Sequence, residues 1–273
     1  MRPTLSDFYY RISGPREGRK WVFLHGLLGY ANNWGRIVRG LSSSDCCLTY
    51  DQRGHGRSWR SEDINRYALS DYADDLKVIL DALGWERVIL VGHSMGARVG
   101  LQFAVQYPKR VDKFIFVDIT PTPRPERLAF FRALLDCVPT PFSSREQVRE
   151  FFTHEFQKLA PPGGNSPMVA EFLKANLRET ANGHLDWQFH REGVLKTVEL
   201  GHQVDGWAQI QSLEVPTLVI RGERSQDLSE QDFRRLLESN SMIQGVTIPG
   251  AGHWVHAEQP EAFLGAIRSF ADL

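Results

Sequence analysis

The stretch Gly92–Gly96 (GHSMG) places one serine between two glycines, directly after the apolar run Arg87–Val91. The residues after it show apolar positions at helical spacing, so Ser94 lies between a predicted strand and a predicted helix. This is the context in which G-x-S-x-G forms a nucleophile elbow, because flanking glycines permit a strained turn. The amide of Met95 then points from a helix N-terminus, where positive partial charge stabilises an oxyanion. We therefore predict that Ser94 is a nucleophile.

A nucleophilic serine needs a general base, and the base needs a carboxylate that orients it. His253, in the stretch GAGHWVHAEQP, lies after the last predicted strand and before the last predicted helix. His256 is the alternative, but it lies nearer the helix start and is expected to pack or cap beside Trp254. We predict that His253 is the base.

Two aspartates compete for the role of the acid. Asp118 ends the strand KFIFVD, whereas Asp227 lies in the loop RGERSQDLSE after the next strand. Adjacent strands are only about 5 Å apart, so either loop can reach the histidine. In the common G-x-x-D layout of that second loop, Ser225 stands where the aspartate would be, and Asp227 comes two residues later. We predict Asp118 as the acid, with Asp227 as the alternative and Glu223 as a third candidate.

An oxyanion hole needs a second backbone amide. The stretch Phe23–Gly29 (FLHGLLG) ends a strand that is expected beside the serine strand, and its glycine turns the chain. The amide of Leu27 can then point at the site together with that of Met95. This chemistry requires no cofactor, and no Cys/His spacing in the sequence suggests a metal site.

The two ends of the sequence alternate strand and helix patterns. Continuous apolar strands separated by helices indicate a parallel sheet covered on both faces, and right-handed crossovers make that sheet doubly wound. The expected fold class is therefore α/β. The predicted strands are Trp21–Gly26, Cys46–Gly54, Arg87–His93, Lys113–Ile119, Pro216–Gly222 and Gly245–Gly250.

This alternation stops after Pro121 and resumes near Pro216. We predict an α/β core from residues 1–121 and 206–273, interrupted at residues 122–205 by a helical lid without a convincing strand. Such insertions usually cover a site at the carboxyl ends of the strands. Most of the lid aromatics are expected to form its own core, while some face the site and favour an apolar acyl chain. They are Phe130, Phe131, Phe142, Phe151, Phe152, Phe156, Trp187 and Phe189.

The composition is that of an ordinary globular protein, with 42% hydrophobic and 24% charged residues among 273. A net charge of −1, with no basic stripe, argues against a nucleic-acid partner. The first residues show no apolar core of signal-peptide length, and no run of about 18 apolar residues occurs in the sequence, so we expect a cytoplasmic protein without a membrane partner. Cys46, Cys47 and Cys137 are expected to be reduced thiols, the first two on opposite faces of one strand.

The order Ser94, Asp118, His253, together with the motifs HGLLG, DQRGHGRS, VGHSMGA and GAGHWVHAEQP, resembles the α/β-hydrolase superfamily over essentially the whole chain. The sequence is most similar to a branch of small acyl esterases and thioesterases whose acid follows the sixth strand. The resemblance implies an eight-stranded, mostly parallel sheet, with Leu27 and Met95 at the positions of the oxyanion amides. That branch often has asparagine at one glycine of DQRGHGRS, a loop that is structural in relatives.

The predicted reaction is acyl transfer to water. Ser94 attacks the carbonyl of a small-molecule ester with a short to medium acyl chain, and the resulting acyl-enzyme is hydrolysed. Dehalogenases and epoxide hydrolases of this fold have aspartate at the elbow and are excluded. A thioesterase or a carbon–carbon bond hydrolase using the same triad remains an alternative, as does a non-catalytic small-molecule receptor.

Overall fold

The computed structural model describes residues 3–272 and contains a seven-stranded main sheet and a small two-stranded sheet. The main sheet has the spatial order β1-β3-β2-β4-β5-β8-β9, and β6 pairs with β7 in the small one. Only β1 runs antiparallel to its neighbour in the main sheet, so the prediction of a mostly parallel sheet is confirmed. The strands are β1 (Tyr10–Ser13), β2 (Lys20–Leu24), β3 (Cys46–Tyr50), β4 (Val88–His93), β5 (Val111–Val117), β6 (Leu177–Glu179), β7 (Leu185–Trp187), β8 (Thr217–Gly222) and β9 (Ile243–Ile248).

The expectation of eight strands is wrong for the described residues, in which the main sheet has seven. Ahead of β1 the chain forms a short 3-10 turn, Leu5–Asp7, instead of a further strand. β1 itself was not predicted, because it is a four-residue edge strand with no fully buried side chain. In chain order, Ser94 therefore follows the fourth strand and Asp118 follows the fifth. In an eight-stranded sheet, the acid was expected after the sixth strand.

Helices cover both faces of the sheet, as the alternating pattern predicts. Apolar side chains pack in two layers, and Cys46 belongs to one layer while Cys47 belongs to the other. No helix within residues 3–272 is long and apolar enough to span a membrane. The helices are α1 (Gly35–Leu41), α2 (Leu69–Leu83), α3 (Met95–Gln106), α4 (Arg127–Asp136), α5 (Arg145–His154), α6 (Phe156–Leu159), α7 (Pro167–Ala175), α8 (Arg191–Gly201), α9 (Gly206–Gln211), α10 (Glu230–Ser239), α11 (Val255–Glu258) and α12 (Pro260–Asp272).

Residues 122–205, the lid segment from here on, contain helices α4 to α8 and the β6–β7 hairpin. The hairpin corrects the expectation of a lid without strands; its strands have three residues each, too few for an alternating pattern to be recognised. The lid segment has its own apolar cluster, in which aromatic rings contact one another at tilted or edge-to-face angles. Six of the eight aromatics noted in the sequence are buried in it: Phe142, Phe151, Phe152, Phe156, Trp187 and Phe189.

Candidate active site

Ser94 lies at the turn between β4 and α3 with φ 55° and ψ −118°, a conformation that side-chain-bearing residues rarely adopt. The glycines on either side are required by close packing. A Cβ atom on Gly92 would lie 2.3 Å from the carbonyl oxygen of Gly96, and one on Gly96 would lie 2.4 Å from that of Leu24. The GHSMG pattern therefore forms the strained strand-to-helix turn that the sequence predicts.

Asp118 directly follows β5 and is fully buried, with φ 53°. Its Oδ2 lies 2.9 Å from Nδ1 of His253, and its Oδ1 accepts the amide of Gly222 at 2.8 Å. Ser225 donates its hydroxyl to the same Oδ2. The carboxylate is thus held by three donors, and the structure brings Asp118 and His253 together as the sequence predicts.

The role of Ser225 could not be read from the sequence. This serine stands at the position that the acid occupies in the common G-x-x-D layout. Its presence there was the only sequence feature that could have indicated a role in the site. In the structure its hydroxyl donates to Asp118, which follows the neighbouring strand, and it also accepts the amide of Asp227 at 3.1 Å.

The alternative acid, Asp227, lies beside the same imidazole but at a longer distance. Its Oδ2 is 3.5 Å from Nδ1 of His253, and its Oδ1 is 3.2 Å from a guanidinium nitrogen of Arg127. The third candidate, Glu223, accepts the amide of Gly250 at 2.8 Å. The geometry therefore favours Asp118 as the hydrogen-bonded partner and leaves Asp227 as a second negative charge near the ring.

These two carboxylates control the protonation of His253. Burial alone would lower the pKa of the imidazole, but the charge of Asp227 and the hydrogen bond and charge of Asp118 outweigh it. The net result is a pKa of His253 above its ordinary value. Ser94 and His253 line one cavity, but among the described residues no hydrogen bond joins them. Hydrogen bonds between a nucleophile and its base often form or shorten only when substrate binds.

Two of the other histidines that line this cavity have packing or hydrogen-bond partners of their own. His256 is buried, with its ring centroid 4.3 Å from that of Trp34, and burial lowers its pKa to about 3. It stacks on Trp34 rather than beside Trp254 as the sequence suggested. His93, which sequence reasoning did not single out, donates from Nε2 to the backbone oxygen of His253 at 2.8 Å and so fixes that loop.

The loop after β2 places Leu27 on the wall of a cavity that Ser94 and Met95 also line. A Cβ on Gly26 would lie 3.3 Å from the Cβ of Ser94, so this loop packs directly against the serine. The next amide, that of Leu28, donates to Nε2 of His55 at 3.3 Å. The amides of Leu27 and Met95 have no acceptor among the described residues. Both are therefore free to stabilise a developing oxyanion.

Ser94 and His253 line a cavity of about 1400 Å³ beneath the lid segment. Phe130 and Phe131 of α4 reach this cavity, unlike the other lid aromatics noted in the sequence. A second cavity, of about 50 Å³, also reaches Ser94. No cluster of histidine, cysteine or carboxylate side chains within residues 3–272 is arranged to hold a metal ion.

Comparison with known proteins agrees with this geometry. Residues 22–260 match the model of the alpha/beta hydrolase fold family. The chain is 31% identical to the sn-1-specific diacylglycerol lipase ABHD11 of Mus musculus, covering 99% of this chain and 86% of that protein. It is also 31% identical to esterase YbfF of Escherichia coli, covering 91% of each. A marine microorganism esterase of known structure has a TM-score of 0.82 at 27% identity, covering 96% of this chain and 98% of that one. The chain therefore belongs to the alpha/beta hydrolase fold family.

Proposed function

We propose that this protein is a carboxylesterase-type serine hydrolase that cleaves small-molecule esters with short to medium acyl chains. The observation that carries the proposal is the 2.9 Å contact between the buried Asp118 and His253, which lines the same cavity as Ser94. A buried carboxylate bonded to Nδ1 leaves Nε2 of the imidazole free to accept a proton. Relatives named as esterase and lipase support the same reaction class.

In the proposed mechanism, Ser94 Oγ attacks the ester carbonyl while Nε2 of His253 takes its proton. The amides of Leu27 and Met95 stabilise the oxyanion, and His253 then gives the proton to the leaving alcohol. A water molecule, deprotonated by His253, attacks the acyl-enzyme and releases the carboxylic acid and Ser94. Asp118 holds the imidazole in the tautomer that carries a proton on Nδ1 throughout.

The lid segment, residues 122–205, is proposed to roof the site and set access to it. Its α4 and α7 contribute apolar walls to the large cavity through Phe130, Phe131 and Phe172. Burying apolar substrate surface against such walls supplies binding energy but does not accelerate the chemical step.

The test is hydrolysis of p-nitrophenyl esters of increasing acyl length by the wild type and by Ser94→Ala. We expect turnover by the wild type and a loss on the order of a millionfold in kcat for the variant. Ser212→Ala, at an exposed serine on the far end of α9, is the matched control and retains the wild-type rate.

Retention of activity by Ser94→Ala contradicts the proposal. If the folded wild type hydrolyses no ester, thioesters and carbon–carbon bond substrates are the next panel, since the same triad serves those reactions. Failure on all three classes supports the non-catalytic receptor alternative.

A further inference from the structure

Two cavities of very different size meet at Ser94. The large one has a volume of about 1400 Å³ and the small one about 50 Å³. The boundary between the two cavities is formed by residues that line both of them. These are Leu27, Phe131 and the ion pair between Arg127 and Asp227. An ester bound at Ser94 has two substituents, and the two cavities offer one position for each.

The position of His253 decides which substituent lies where. The base must reach the leaving oxygen to protonate it, so the leaving group lies on the side of the imidazole. His253 lines the large cavity and not the small one. Met95, whose amide is a proposed oxyanion donor, lines the small cavity and not the large one. The large cavity is therefore on the leaving-group side and the small cavity on the acyl side.

The small cavity is lined by buried and half-buried residues, none of them exposed. Its apolar walls include Leu69, Ile119 and Val198, each less than a tenth exposed. Arg98, also on the wall, donates to the backbone oxygens of Gly201 and Thr122, each at 2.8 Å, and so ties α3 to both ends of the lid segment. At about 50 Å³, against about 1400 Å³ for the large cavity, this space accommodates only the shorter of the two substituents of an ester.

We propose that the small cavity binds the acyl group and the large cavity binds the alcohol, so that the preferred substrates are esters of short-chain acids and bulky, apolar alcohols. This inference rests on the proposed esterase function and narrows its substrate class. It also assigns Val198 of α8 as a residue that limits acyl length, because its side chain forms part of the wall of the small cavity.

The wild-type experiment measures kcat/KM in two ester series. In the first, the alcohol is p-nitrophenol and the acyl group grows from acetyl to decanoyl. We expect a maximum between acetyl and butyryl and a loss of roughly tenfold for each further methylene, the discrimination typical of a filled apolar pocket. In the second, the acyl group is propionyl and the alcohol grows from methyl to naphthylmethyl, and kcat/KM rises with alcohol size.

Two matched variants locate the effect. Val198→Ala removes two methyl groups from the small cavity, and we expect its acyl optimum to move up by about one or two carbons with the alcohol series unchanged. Val169→Ala makes the same change in α7, which lines only the large cavity, and leaves the acyl optimum in place. Ser94→Ala in both series shows which part of the hydrolysis belongs to this site.

Three results overturn the assignment. One is a wild-type preference for octanoyl or decanoyl esters. Another is an acyl optimum that moves in Val169→Ala and not in Val198→Ala. The third, absence of hydrolysis that depends on Ser94 across both series, overturns the proposed function and the assignment with it. The first two leave the esterase function standing and reject only the placement of the substrate.

Discussion

The sheet and the lid segment contribute to the site in different ways. Within residues 3–272, the three non-glycine residues with positive φ are Leu28, Ser94 and Asp118, and each lies at the carboxyl end of a sheet strand beside the site. Backbone strain of this kind costs on the order of 1–3 kcal/mol per residue and persists only in a rigid frame. The lid segment has no such residue; its aromatics mainly pack on one another. The strained residues beside the site thus belong to the sheet, whereas the lid segment contributes mainly to the shape of the cavity.

The largest effect that tests this division is expected at Asp118. Replacing it with asparagine keeps the shape but no longer fixes the imidazole tautomer, and kcat should fall by about 10⁴-fold. The measurement is ester hydrolysis by the purified variant, with its thermal unfolding as a check on folding. If Asp118→Asn loses less than tenfold while Asp227→Asn loses most of the rate, the assignment of the acid is wrong.

In the lid segment, the expected effect is on stability. Phe156 is fully buried and packs against Phe151 and Phe152. Phe156→Ala should lower the free energy of unfolding by about 3–5 kcal/mol through lost burial and the cavity that it leaves. Urea denaturation measures this, with Leu159→Ala, at an exposed leucine of the same helix, as the control. The pH profile of the remaining activity should not change. A shifted profile would show that the lid segment and the sheet do not contribute independently to the site.

The smallest effect is expected at Asp227. Catalysis needs neutral His253, and because nearby carboxylates raise its pKa, the wild-type rate should begin to fall at a higher pH than an unperturbed histidine would give. Asp227→Asn removes one of these charges, lowers the pKa of His253 and moves this acid limb to lower pH. The expected change at neutral pH is only a few-fold. A kcat/KM profile from pH 5 to 9 measures it, and an unmoved limb would contradict a role for Asp227 in tuning the base.

The sequence predicted those parts of the fold that are marked by long apolar runs or by steric necessity. β4 and α3 around Ser94 are examples, since the glycines that identify the elbow are also the ones that close packing requires. Asp118 was predicted from its place at a strand end. The strands β1, β6 and β7 were missed because they are short and carry no long apolar run.

Contacts between distant parts of the chain were harder to predict. Ser225 and His93 reach the candidate site through hydrogen bonds to Asp118 and to the backbone of His253, and no local pattern encodes such pairings. The two unequal cavities depend in the same way on how α8 and α4 pack over the strand ends. Only the assembled structure gives the volumes on which the substrate assignment rests.

The most direct test of the central claim, that Ser94 is the nucleophile, is covalent labelling with a fluorophosphonate followed by intact-protein mass spectrometry and peptide mapping. We predict one adduct per chain, located on Ser94, with loss of esterase activity in proportion to labelling and much slower labelling of Asp118→Asn. An adduct on another residue, or full ester hydrolysis by protein that is labelled at Ser94, would contradict the account.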